Sequence, residues 1–313
     1  MSAGSSLPYR LRPNKAVDRE LFLSLLLRLA PKLALEKYHY VGLGGPFLED
    51  FRMIHGRLGI AKMTCIETEE QVHKRQLFNR PVASIECVHK SLEDYLDETD
   101  FDAPAIIWFD YTEPRGITTQ IERFARTIGT VPIGSVLRVT LNANPGSLGK
   151  APGNLAEVEL LEWRLKEFQK RLGALFPSGL AVDGMTQRNF GLSLLHALKL
   201  AVEKEALSVR DRRIVWALAT HYADGQAMVT AALVICQNDD KTVEELVKDW
   251  EFYATADAPH RLDLPALSTL ERLTMESNVD AKTKMGFELP GENPFEVFKK
   301  FYRIYPHFSR VEL

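Results

Sequence analysis

His39-Tyr40-Val41-Gly42-Leu43-Gly44-Gly45-Pro46-Phe47 is a short apolar run that enters a glycine cluster and leaves it into an amphipathic stretch, with Leu48, Phe51, Ile54 and Leu58 at helical spacing. That order reads as strand, loop and helix, the opening of a nucleotide-binding crossover. Gly42, Gly44 and Gly45 lack a Cβ, so the loop can turn sharply and let a ligand approach its backbone. Pro46 is expected in the first helical turn, where its missing N–H costs nothing, and Gly59 as the helix C-cap. Ile60–Ile66 then reads as a second strand, with Glu67 at its carboxyl end. Thr68 and Gln71 have the spacing of a capping box for the next helix, which would fix Glu67 at the strand tip, facing the same crevice as the glycines.

Outward from this unit the alternation continues. Strands are expected over 38–43, 60–66, 82–88, 105–109 and 135–141, separated by helices over 47–58, 69–79, about 92–96 and a run through Ile121, Phe124, Ala125 and Ile128. Strands alternating with helices imply a parallel sheet with right-handed crossovers. Asn142 to Asn154 is rich in glycine, proline and asparagine and reads as a loop. Leu155, Val158, Leu161, Leu165, Phe168, Leu172 and Leu175 mark one face of a long helix, and 190–207 reads as another. Arg213–Thr220 and Gln226–Gln237 flank Asp224-Gly225, a strong hairpin signal. Helical pieces follow over 243–253, 265–275 and 294–305. The aromatics of the last piece (Phe295, Phe298, Tyr302, Tyr305) share one helical face, which favours packing over the stacking of a single-stranded nucleic acid between its lysines and arginines.

The chain has 313 residues with ordinary apolar and charged fractions, enough for one elaborated domain or a domain with an appendage. A net charge of −3 argues against coating nucleic acid through a global field. Three cysteines (Cys65, Cys87, Cys236) lie in apolar runs without a close pair, which suits a reduced, cytoplasmic chain. The eight histidines are scattered, so no metal site is expected. Leu21–Leu29 is interrupted by Arg28 and falls short of the ~20 apolar residues of a bilayer span, so no membrane role is expected; it reads as a buried helix capped near Asn14. Residues 1–8 read as a loose tail.

The position of a third dinucleotide-fingerprint glycine is taken by Phe47, which turns the reading away from a pyrophosphate. Over residues 38 to 236 the pattern instead resembles class I S-adenosylmethionine-dependent methyltransferases. The runs YRLRPNKAVDR, YVGLGGPFLEDF, FNRP and WFDYTEP are similar to a group of prokaryotic proteins labelled O-methyltransferases on the strength of their fold. The resemblance implies an α/β, Rossmann-like methyltransferase fold with a mostly parallel seven-stranded sheet ending in an antiparallel hairpin. An N-terminal helical segment (1–37) would precede the Rossmann-like domain (38–237), which carries a helical insertion at about 145–189, and a helical C-terminal extension (238–313) would follow.

It also implies S-adenosylmethionine as cofactor, with the loop of Gly42, Gly44 and Gly45 against its amino-acid part and Glu67 on the ribose hydroxyls. Ser91 stands where the family often has an acid facing the adenine. Asp110, at the end of the fourth strand in Trp108–Arg115 (WFDYTEPR), would border the cofactor and act as general base or orient the acceptor's proton, with Tyr111 as a wall or hydrogen-bond partner. The segment is similar in position to the D-P-P-Y motif of amino-methylating enzymes but lacks its two prolines, so oxygen and nitrogen acceptors both stay open. Arg12, Lys15 or Arg19 would reach over the cofactor or an anionic substrate group, Glu113 and Arg115 would flank the entrance, and Asn142 and Asn144 would line the substrate side. The acceptor, whether small molecule, protein or nucleic acid, is not identified by the sequence, nor is the oligomeric state. Each residue also has a plain structural use: a tight turn for the glycines, a solvated acid for Glu67, a strand cap or a pair with Arg115 for Asp110. Two other functions compete: a non-catalytic binder of cofactor or nucleotide in a prokaryotic regulatory or defence system, and a nicotinamide-dependent oxidoreductase.

Overall fold

In the computed structural model, which describes residues 12–277 and 280–306, the expected alternation forms a single sheet. The elements are α1 (Pro13–Leu33), β1 (His39–Gly42), α2 (Glu49–Leu58), β2 (Met63–Glu67), α3 (Glu70–Asn79), β3 (Ile85–His89), α4 (Leu92–Glu98), β4 (Ala105–Asp110), α5 (Ile117–Thr130), β5 (Val136–Asn142), α6 (Glu157–Leu172), α7 (Phe190–Ala206), β6 (Arg212–Ala223), β7 (Ala227–Gln237), α8 (Thr242–Lys248), β8 (His260–Leu262), α9 (Thr269–Ser277), α10 (Ala281–Met285) and α11 (Pro294–Phe301). Strand order is β3-β2-β1-β4-β5-β7-β6-β8. The first five strands pair in parallel, and β7 runs antiparallel between β5 and β6. The sheet has eight strands and not the expected seven, because His260–Leu262 of the C-terminal extension adds a parallel edge strand to β6. The extension is therefore not purely helical.

Alternate strand residues feed two cores. Helices α1, α2, α8 and the C-terminal segments cover one face, where Leu21, Phe22, Tyr40, Phe51, Trp108 and Phe298 pack together. Helices α4 to α7 cover the other, around Val41, Phe109, Phe124, Phe168 and Leu194. Of the C-terminal aromatics Phe298 and Tyr305 are buried, as the packing reading expects, and Phe301 with them, but Tyr302 is 44% exposed and lies off the packed face; Arg303 pairs with Glu251. Arg310, Tyr9, Arg10 and the tail over 1–8 lie outside the described residues. No helix among the described residues is long and apolar enough to cross a membrane.

Several local expectations are corrected. Pro46 is not helical; α2 starts at Glu49, because Leu48 takes a left-handed conformation (φ 52°) as its N-cap. Gly59 does cap α2, at φ 68°. Asn14 does not cap α1: Arg12 holds that position without a side-chain bond. The cap comes in trans, from the predicted hairpin turn, as Asp224 accepts from the Lys15 N–H at 2.7 Å and the Asn14 side chain at 3.0 Å. Asn14 also accepts from the Leu264 N–H, tying α1 to the extension. Cys65 and Cys87, distant in sequence, stand in register as neighbours on β2 and β3.

Candidate active site at the carboxyl edge of the sheet

The chain winds from β1 outward to β3, then crosses back to place β4 on the other side of β1, so the carboxyl ends of β2, β1 and β4 lie side by side at a topological switch point. Open α/β sheets bind ligands in that crevice. Gly42, Glu67 and Asp110 are the last residues of these three strands.

The glycine loop is shaped by packing from beneath. A Cβ on Gly44 would come within 2.7 Å of Leu48 and 2.9 Å of Phe51, so glycine is what lets α2 close onto the loop. Gly45 sits at φ 54°, where a side chain would be strained. Leu48 pays that strain because its side chain is wholly buried. From the far side α3 braces the loop carbonyls: Gln76 donates to Gly45 O at 3.1 Å and Asn79 to Pro46 O at 2.7 Å. Gln76 is fully buried, and Asn79 belongs to the FNRP run. The sequence reading missed both, although an Asn just ahead of the Arg80-Pro81 stop was a signal that its side chain serves something other than helix propensity.

Glu67 is half-buried, and its Oε1 accepts from the Thr68 and Glu69 N–H groups at 2.9 Å each. The expected Thr68–Gln71 capping box does not form; Glu69 is the N-cap of α3, without a side-chain bond. Glu67 is instead aimed by its own backbone turn. Ser91 is spent elsewhere: it is the N-cap of α4, accepting from the Asp94 N–H at 3.0 Å and donating to its carboxylate at 2.6 Å.

Along β4 successive side chains face opposite sides of the sheet. Trp108 points to the α1 side, against Phe22. Asp110 follows it, half-buried, and its charge acts on Lys15 and Tyr222. Tyr111 turns to the α5 side, beside Phe109, and donates to Glu93 at 2.9 Å. Burial, then the Glu93 charge, push its phenol far above the ordinary range. The Tyr111 hydroxyl is thus engaged by Glu93. Glu113 and Arg115 are exposed and bond within their own turn. Asn142 is buried and structural, donating to Thr112 O and accepting from the Asn144 N–H, while Asn144 caps the following turn through the Gly146 N–H.

The basic entry segment divides its work. Arg19 is buried and forms a two-bond pair with Asp50 on α2 (2.7 and 3.2 Å), its guanidinium 5.0 Å from the Trp108 ring. Lys15, one turn earlier, is placed at the carboxyl edge. Desolvation, then the Arg19 charge, depress its ammonium to about 8, against the pull of Asp110 and Asp50. Beneath them Arg138 and Asp18 form a fully buried pair at 2.5 Å. Asp18 also accepts from Thr220 (2.7 Å) and Thr230 (2.9 Å), and the Arg138 guanidinium lies between the Phe22 and Trp108 rings at 4.4 and 4.3 Å. Asp50, Asp18 and Arg138 escaped the sequence reading. An arginine inside the buried strand SVLRVTL was the available signal, since a buried charge demands a partner.

A family model described as "Putative O-methyltransferase" matches residues 7–313. The chain belongs to this family. No curated protein matches it. Among solved structures the methyltransferase is similar to a "putative O-methyltransferase" from Klebsiella pneumoniae, with 12% identity, 69% of this chain and 80% of that chain covered, and a TM-score of 0.38. An N-methyltransferase from Bradyrhizobium japonicum gives 9% identity, 71% and 97% coverage and a TM-score of 0.37. An rRNA methylase from Streptococcus thermophilus gives 11%, 69% and 96%, and 0.36. In this methyltransferase no group of metal-ligating side chains occurs among the described residues. A separate cleft of about 460 Å³ lies at the opposite end of the sheet, beside Trp216, Arg213 and Tyr253. Its cations Lys199, Arg212, Arg213 and Lys248 are paired with Asp257, Asp211 and Glu244.

Proposed function

We propose that this chain transfers a methyl group from S-adenosylmethionine to a hydroxyl acceptor in the crevice over β2, β1 and β4. The observation that carries this reading is the meeting of Gly42, Glu67 and Asp110 at the ends of three adjacent strands, at the switch point of the sheet. These residues fit the cofactor. Glu67 is a half-buried carboxylate aimed by two backbone N–H groups, suited to accept from a ribose diol. The glycine loop is pinned by α2 and α3 before any ligand arrives, which lowers the ordering cost of binding. When bound, S-adenosylmethionine supplies an electrophilic methyl carbon.

The chain's own residues then have to orient the acceptor, exclude water and handle one proton. Asp110, at the end of β4 next to β1, accepts from the acceptor hydroxyl and holds it in line. The family description supports oxygen as the acceptor atom. The test is transfer of labelled methyl from the cofactor into cell extract, read by mass spectrometry. Asp110→Asn is expected to keep the fold and cofactor binding and to lower transfer by about 10²–10⁴-fold. Transfer by the variant at the wild-type rate removes Asp110 from the reaction.

A further inference from the structure

The β6 end of the same carboxyl edge carries a cluster that methyl transfer at Asp110 leaves unused. Helix α7 begins there without a side-chain cap: the Asn189 side chain donates to Asp183 O, and no acidic residue stands in the first turn. The Phe190, Leu192 and Ser193 N–H groups bond to Thr186 O and Asn189 O, whereas the buried Gly191 N–H has no partner among the described residues. A Cβ on Gly191 would come within 2.9 Å of His221 Nε2 and 2.7 Å of Val229, so the missing side chain lets this turn settle over the imidazole. His221 is only 9% exposed, and neither of its ring nitrogens has a hydrogen-bond partner among the described residues. Buried polar groups are nearly always paired, so two unpaired ones side by side mark a place for a ligand oxygen. Arg261, in register with His221 on β8, rises from the same face of the sheet and reaches the same turn, its Nη1 donating to Arg188 O at 3.5 Å. It is exposed and has no carboxylate partner among the described residues, since Glu292 pairs with Arg188.

We propose that the first turn of α7, His221 and Arg261 form an oxyanion site that anchors the carboxylate or phosphate group of the methyl acceptor; the anchoring role rests on the methyl-transfer reading above. One oxygen accepts from the Gly191 N–H and His221, another from Arg261, and the helix dipole favours the negative charge. Burial, then the Arg261 charge, depress the imidazole to about 4, so His221 offers a neutral N–H and Arg261 supplies the charge. His221 stands opposite Val229, and Val229 opposite Leu141, one residue past the Thr140 that faces Asp110. The two sites therefore share one edge, about 14 Å apart across three strand spacings. The acceptor is then an anion long enough to span them, with its hydroxyl at one end and its charge at the other.

Inorganic phosphate and acetate are the probes, and the tighter of the two identifies the group that the site takes. In NMR titrations of the wild type the Gly191 amide and the His221 ring signals are expected to shift saturably. Arg261→Gln, at an exposed position, should keep the fold and weaken that probe by about ten-fold or more. No saturable shift at Gly191 and His221, or equal affinity in the variant, overturns the site. In the extract assay the same probe is expected to inhibit transfer by the wild type, and to inhibit Arg261→Gln only at about ten-fold higher concentration, while S-adenosylhomocysteine titration is the same in both proteins. A labelled product without a carboxylate or phosphate overturns the anchoring role. A wild type that binds the probe but transfers no methyl group defeats the methyl-transfer reading and the anchoring role with it, and leaves the oxyanion site in place.

Discussion

Single residues in this molecule are explained by what sits behind them more than by what they face. Asp18 is the clearest case, a carboxylate with no exposure that holds Arg138, Thr220 and Thr230 together under the active edge. Removing one member of such a pair leaves a buried charge without compensation, so Asp18→Ala should lower unfolding stability by about 3–5 kcal/mol. Urea denaturation measures it, and a loss well under 1 kcal/mol would mean the network carries no stability. Arg138 stood out in its apolar strand but was passed over, and its partner was not legible at all, because the two are 120 residues apart and meet only when α1 lies on the sheet. Gly44 teaches a related lesson. Its glycine was legible and its reason was not: the missing Cβ makes room for Leu48 and Phe51 from the following helix, and a ligand-approach argument looks on the wrong side of the loop.

At the scale of elements, alternation, the Asp224-Gly225 hairpin and the Gly59 cap were all readable, since each depends on local chemistry. Starts that depend on tertiary partners were not. Pro46 falls outside α2 because buried Leu48 forces a left-handed turn after it, and α1 is capped by a residue more than 200 positions away. That remote cap makes a prediction. Asp224→Ala removes the acceptor from the first turn of α1, which should cost about 1 kcal/mol, the usual value of an N-cap, and speed amide hydrogen exchange at Lys15 and its neighbours while leaving α7 unaffected. Unchanged exchange in that turn would show that Asn14 and Arg19 alone hold it. Tyr111 belongs to this scale too: just past the end of β4 it turns to the Phe109 side and gives its hydroxyl to Glu93, a partner on another helix that the sequence does not reveal.

Across the whole molecule, eight strands in one sheet bring residues from α1, β1, β2 and β4 to a single edge, while the C-terminal segment, expected as helices alone, supplies the outermost strand. Membership of the methyltransferase family spans nearly the whole chain, so the N-terminal helix that carries Lys15 and the extension that Asn14 grips are parts of one architecture. The central claim is that the crevice above β2, β1 and β4 holds the cofactor through Glu67. Calorimetric titration with S-adenosylhomocysteine tests it most directly: the wild type should bind at one site per chain, and Glu67→Ala should bind more weakly by roughly 1.5–3 kcal/mol, about ten-fold or more. Equal affinity in the two proteins, or no binding by the wild type, would contradict it.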